Sequence, residues 1–145
     1  MFSRHNKIQV KSLCVFERGE SIFVSKSPDS VKKDYYYRPV GGTANFGEIS
    51  IDTLRREITE ELGTEIIDAT LENVFENVFV CDGHPGHEVI FMYKAKFSDK
   101  KFYEKDEYEL TESNGEKNPV YWINKAKFVS GELRLVPEAL LETYR

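Results

Sequence analysis

Residues 42–64 read GTANFGEISIDTLRREITEELGT, and the change of pattern inside this stretch decides the fold. From residue 50 onward the apolar residues recur at helical spacing. Ile51, Leu54, Ile58 and Leu62 fall within an arc of roughly 80°, at about 100° per residue, a narrow stripe suited to packing on a sheet. Ser50 is the expected N-cap, Asp52 stands in the first turn, and Gly63 is the expected C′ residue. The polar side carries a second pattern. With Glu57 at 0°, Glu60 lies near −60° and Glu61 near +40°, so the three carboxylates form a ridge beside the apolar stripe. Like charges at this spacing repel, and a merely solubilising face would intersperse lysines. Converging carboxylates are oxygen ligands for a hard divalent cation, and Mg²⁺ typically joins carboxylates to phosphates.

The loop ahead of the helix fits the same chemistry. Gly41 and Gly42 allow the backbone to approach a ligand closely. The helix N-terminus offers unpaired N–H groups and a positive dipole end. Glu48 precedes that terminus and can reach back toward the ridge. Arg56 stands beside the ridge and can meet Glu48 or a phosphate in a forked geometry.

Working outward, the flanks read mostly as strands. Residues 8–17 and 21–26 are expected to form a hairpin about Arg18-Gly19-Glu20. A strand over residues 35–40 is expected to end at Pro39 and the Gly41-Gly42 pair. Residues 71–81 and 88–97 read as long strands, joined by the polar turn 82–87. Residues 98–118 are charged and read as an irregular loop. A short strand over 120–123 and a short helix over 124–129 follow, with Gly131 ending the helix. Pro137 opens a last helix through Tyr144. Strands alternating with helices imply an α/β fold, a mixed sheet covered by helices, as one domain over residues 1–145.

Composition narrows the function classes. No apolar run is long enough to span a bilayer, and the polar start Met1-Phe2-Ser3-Arg4-His5-Asn6-Lys7 lacks the apolar core of a secretory signal. A cytoplasmic location is expected. Cys14 and Cys81 sit among apolar neighbours, as buried thiols do, and so small a count is no disulfide framework. The net charge of −5 argues against a basic face for a nucleic-acid polymer, yet leaves small phosphorylated ligands open when a metal carries the positive charge. His84 and His87 flank Pro85-Gly86, and a zinc site there would need two more ligands, with Cys81 the one soft candidate nearby. Strand alternation lets at most one or two rings of Tyr35-Tyr36-Tyr37 face a site. Tyr37, Arg38 and Gly42 are the expected substrate contacts, and Trp122 is expected in the core.

Gly42, Glu48 and the run Arg56-Glu57-Ile58-Thr59-Glu60-Glu61-Leu62-Gly63 resemble the Nudix box, G-x₅-E-x₇-R-E-U-x-E-E-x-G-U, with U a bulky aliphatic residue. Thr64 departs from the final U, a packing position. Arg38-Pro39-Val40-Gly41-Gly42 is similar to the family's proline-glycine entry, and the order of elements to its α/β/α sandwich. The resemblance implies a pyrophosphohydrolase, in which water attacks phosphorus in a nucleoside diphosphate linked to another moiety. It implies Mg²⁺, with Mn²⁺ as a substitute, held by Glu57, Glu60 and Glu61 with the carbonyl of Gly41. Arg56 and Glu48 would orient the helix, and one carboxylate would serve as, or position, the general base. For a further carboxylate from a later loop, Glu116 is favoured and Glu112 is the rival. The proline that often marks ADP-ribose hydrolases is absent, with Phe79 and Val80 in its neighbourhood, and the signatures of NADH and coenzyme A hydrolases are absent too. The expected partner is a small nucleotide-type substrate, met by a monomer or homodimer. The alternative is a nucleotide-sensing module without turnover, but such relatives usually lose box carboxylates, and this chain keeps them. A diphosphate isomerase is a third reading, for which the chain is short and neither cysteine well placed.

Overall fold

The computed structural model describes residues 7–145; the stretch 1–6, with most of the polar start noted above, lies outside the described residues. Among the described residues eight strands form one mixed sheet: Ile8–Val15 (β1), Glu17–Arg18 (β2), Ser21–Asp29 (β3), Asp34–Thr43 (β4), Ile66–Cys81 (β5), His84–Phe97 (β6), Glu107–Thr111 (β7) and Lys117–Asn124 (β8). Their order is β5-β6-β1-β4-β3-β8-β7, with β2 beside β3. The helix Ser50–Leu62 (α1) packs on one face, and the short helices Ala126–Val129 (α2) and Glu138–Glu142 (α3) pack on the other. No helix among the described residues is long and apolar enough to cross a membrane.

The expected hairpin forms only at its tip. Glu17 pairs with Ile22 and Arg18 with Ser21, but β1 itself lies between β4 and β6, parallel to the latter. The reason is burial: Ser12, Leu13, Cys14 and Val15 are buried whichever way they point, as in a central strand covered on both faces. One side of this layer holds Cys14, Phe16, Phe23, Phe97 and Trp122 beneath α1, with the Phe16 and Phe97 rings stacked at 3.8 Å. The other holds Leu13, Ile22, Val24, Tyr37, Met92 and Phe128 beneath the C-terminal segment.

Three further expectations change. First, β4 does not stop at the glycines but runs through them to Thr43, pairing Gly41 with Leu13 and Gly42 with Ser12. A Cβ on Gly41 would stand 2.0 Å from the Ser12 carbonyl oxygen, so the missing side chain is what lets β4 pass against β1. Second, the turn 82–87 shrinks to Asp82-Gly83, both with φ > 0 as a two-residue hairpin demands, and β6 begins at His84. Third, the loop 98–118 contains a 3-10 turn at Lys100–Tyr103 and the strand β7. Tyr108 and Leu110 alternate with Glu107, Glu109 and Thr111, and Leu110 is buried. That period of two marks a half-buried strand despite the charges.

Candidate active site

Helix α1 starts where Ser12 Oγ donates to the Ser50 carbonyl and Ser50 Oγ meets the Tyr93 hydroxyl at 2.5 Å. Ser50 is therefore inside the helix, and Ile49 is the N-cap residue, with no side-chain cap. Leu54 and Ile58 are fully buried, Ile51 and Leu62 partly so, and Gly63 closes the helix at φ 68°. Thr64 is buried, and its hydroxyl donates to the Glu65 carbonyl at 3.0 Å, so a polar residue keeps this packing position satisfied.

Arg56 is the hub of the polar face. Its Nε and Nη2 grip Glu48 at 2.8 and 3.0 Å, a two-pronged contact, while Nη2 also donates to the Thr43 carbonyl at 3.0 Å. Its Nη1 reaches Glu57 at 2.8 Å and Glu60 at 3.3 Å. Glu48 additionally accepts from the Asn45 N–H at 3.1 Å and the Thr53 hydroxyl at 2.8 Å. The Arg56 guanidinium and these donors hold the Glu48 carboxyl down at about 2, so Glu48 is a fixed anion that locks the loop to the helix.

The glycines divide two tasks. Gly41 admits the neighbouring strand, whereas Gly42 admits Glu57: a Cβ on Gly42 would lie 2.2 Å from the Glu57 carboxyl carbon. Glu61 is the third acid of the ridge. Its buried Oε1 has no hydrogen-bond partner among the described residues. Burial pushes its carboxyl up to about 8, with Glu112 and Glu57 pushing the same way and Arg38 opposing. A carboxylate oxygen turned inward beside other acids, without a donor, is costly unless a cation joins it. Among the described residues no trio of acids, imidazoles or thiols stands ready-made as a metal cage, since Glu57 and Glu60 are turned onto Arg56. The hard-oxygen donors and the orphaned Glu61 atom nonetheless fit a small divalent cation.

The later acid that stands beside Glu61 is Glu112, just past the end of β7, and not the favoured Glu116. Glu112 is close enough to raise the Glu61 carboxyl, and Asn118 Nδ2 donates to it at 3.1 Å. Glu116 is exposed in the turn between β7 and β8, where its carbonyl accepts from the Glu112 N–H. Tyr37 also departs from expectation. It is buried against Phe128, and its backbone bonds Arg134 and Val136, so it belongs to the core. Tyr36 instead faces a cleft of about 270 Å³ that Arg38, Asn77, Phe79, Glu88 and Arg134 also line. The Phe79 ring covers Gly86, where a Cβ would lie 2.3 Å from it.

Lys11 and Glu88 were not singled out by sequence. They form a largely buried ion pair at 3.4 Å between this cleft and the ridge, and Asn77 donates to Glu88 at 3.3 Å. Burial lowers the Lys11 ammonium, and Arg38 beside it lowers it further. A glutamate inside the apolar run of β6 was the one legible signal. His84 and His87 lie within β6, paired with Cys81 and Val78, and Cys81 is a free thiol donating to the Tyr36 hydroxyl. Cys14 is a buried free thiol, and Trp122 is in the core as expected.

No protein-family model and no curated protein matches the sequence. Solved structures do resemble it. A MutT Nudix hydrolase from Burkholderia pseudomallei superposes with TM-score 0.60 at 22% identity, covering 83% of this chain and 86% of that one. The mutator MutT protein from Bacillus halodurans gives 0.61 at 18%, covering 94% and 80%. A Nudix hydrolase from Nitrosomonas europaea gives 0.61 at 14%, covering 95% and 88%. The mixed sheet, the helix α1 packed on one face and the C-terminal helices on the other are the fold of the Nudix hydrolases.

Proposed function

We propose that this chain is a metal-assisted pyrophosphohydrolase of small nucleotide-type substrates. The observation that carries the reading is the acidic ridge of α1, with the orphaned Glu61 oxygen at its buried end. Glu57, Glu60 and Glu61, joined by Glu112, would hold a divalent ion. When bound, such an ion supplies charge neutralisation for the phosphates and a lowered pKa for water.

The chain's own residues divide the remaining work. Arg56 and Glu48 clamp the glycine loop to the helix, so the acids keep their positions relative to the backbone at Gly42. Arg38 and Lys11 offer cations on the cleft side of the ridge, where a diphosphate can lie between them and the acids. The cleft beyond Arg38 is near the lower end of ligand-site volumes, about 300 Å³, and takes the nucleoside end, with Phe79 and Tyr36 as stacking surfaces. Water attacks phosphorus, the anhydride P–O bond breaks, and the departing phosphate keeps the bonding pair. A ridge carboxylate accepts or positions the proton of that water.

The test is a panel of nucleotides and nucleoside diphosphate conjugates with Mg²⁺ or Mn²⁺. Release of a mononucleotide with phosphate or pyrophosphate from some member is expected, and Glu60→Gln or Glu61→Gln should cut the rate by about 10²-fold or more. Binding without turnover across the whole panel would overturn the catalytic reading.

A further inference from the structure

Among the described residues, one face of the sheet is covered along only part of its length. Helix α1 begins above Ser12 and Tyr93 and runs away from the far end of β1, β5 and β6. Strand register places three rows of side chains on that open end: Val78, His87 and Ile8; Glu76, Val89 and Val10; Val74 and Phe91. Ile8, Val74 and Val78 are 62%, 52% and 73% exposed. At the border of this floor, the Ala44 N–H donates to the Val10 carbonyl, and the loop that follows carries Phe46, fully exposed, and Ile49. A flat apolar floor and a projecting aromatic therefore occur side by side on one surface.

We propose that this surface is a two-fold homodimer interface, in which Phe46 of each copy packs on the valine floor of the other. Two observations select a second copy as the occupant. The first is area. The exposed apolar side chains of the floor with Phe46 and Ile49 amount to on the order of 800 Å², above the roughly 300–600 Å² patch of a monomer and close to the ~800 Å² each partner buries in a stable pair. The second is self-complementarity. An isologous contact needs the knob and its seat on the same patch, so that residue i meets j while j meets i.

The experiment is sedimentation equilibrium of the full chain from roughly 1 to 100 µM, a range that populates a dimer for a Kd of about 1 µM, the weak end for this interface size. Wild type is expected to dimerise. Phe46→Ala, in a loop where the ring is fully exposed among the described residues, should raise the dissociation constant tenfold or more. Val78→Asp should do the same, and Val129→Asp, on α2, should leave it unchanged. Circular dichroism checks that each variant folds, and Phe46→Ala keeps the test valid should Val78→Asp misfold. A monomer throughout the range overturns the proposal, as does a dimer indifferent to Phe46→Ala. Neither outcome touches the hydrolytic reading, which is measured separately.

Discussion

Replacing Glu61 with Gln should stabilise the ion-free protein while destroying its response to Mg²⁺. The Glu61 carboxyl rises from the ordinary 4.5 to about 8, first through burial and then through Glu112 and Glu57. Folding therefore takes up a proton between pH 4.5 and 8, and wild-type stability falls as pH rises through that window. The full linkage, at about 1.4 kcal/mol per pH unit, sets a ceiling near 5 kcal/mol. Titration shared with Glu112 and partial solvent access reduce the expected gain to roughly 1–3 kcal/mol. Glutamine carries no charge to desolvate, and its amide can donate to Glu112 as a protonated Glu61 would. For a chain of this size, 1 kcal/mol moves Tm by about 3–4 °C, so Glu61→Gln should melt about 3–10 °C higher at pH 9 in EDTA. At pH 4.5, where the wild-type group is protonated, the two should coincide. Adding Mg²⁺ at pH 8.5 should raise the wild-type Tm and leave the variant's nearly still, since an ion stabilises by binding the folded state. A variant no more stable than wild type at pH 9, or equally stabilised at both pH values, would refute the assignment of strain to this carboxylate.

The two glycines should respond differently to one methyl group. Gly41→Ala puts Cβ against the β1 backbone and should cost about 3 kcal/mol or more in chemical denaturation, whereas Gly42→Ala meets only the end of the Glu57 side chain and should cost about 1 kcal/mol; its loss should appear in turnover, about 10²-fold, through displacement of the Glu57 carboxylate. Arg56→Lys keeps the charge but loses the two-pronged grip on Glu48 and the Thr43 carbonyl, so urea unfolding should register about 1–3 kcal/mol of destabilisation. Glu112→Gln should weaken Mg²⁺ activation and lower the Glu61 carboxyl, measured by ¹³C NMR titration of labelled glutamate, while Glu116→Gln should change neither.

Where short-range pattern decides structure, the sequence was readable. The stripe of α1, its Gly63 terminus and the Arg56–Glu48 pairing depend on spacings of a few residues within one helix and its approach. The long strands β5 and β6 announce themselves by β-branched and aromatic runs. Pairing was less readable, because partner choice is a property of the whole sheet. Residues 8–17 and 21–26 have a good turn between them, yet β4 intervenes, since burying both faces of β1 outweighs a local hairpin. Charge hid β7: five residues with two glutamates look like loop until Leu110 and Tyr108 are counted by twos. Likewise Glu112 and Glu116 are equivalent in one dimension. The β7–β8 register separates them, by setting Glu112 at the strand's end toward α1 and Glu116 in the turn beyond.

The arrangement of charge explains why stability and the proposed metal binding pull apart at Glu61 and not at Glu48. Both are glutamates of the same motif, yet Glu48 has an arginine fork, a backbone N–H and a hydroxyl around it, which hold its carboxyl down at about 2. Glu61 has none of these: its Oε1 is without a partner among the described residues, and Glu112 and Glu57 beside it oppose its charge more than Arg38 favours it. A chain optimised only to fold would place an amide or an apolar residue there, because removing an unpaired buried charge is stabilising. Keeping Glu48 satisfied ties the loop to the helix, and leaving Glu61 unsatisfied leaves the folded protein with an electrostatic debt that a bound cation would discharge. Activity should therefore depend on metal most steeply where the ion-free protein is least stable, above pH 8. A metal requirement that was flat from pH 6 to 9 would place the ion away from Glu61.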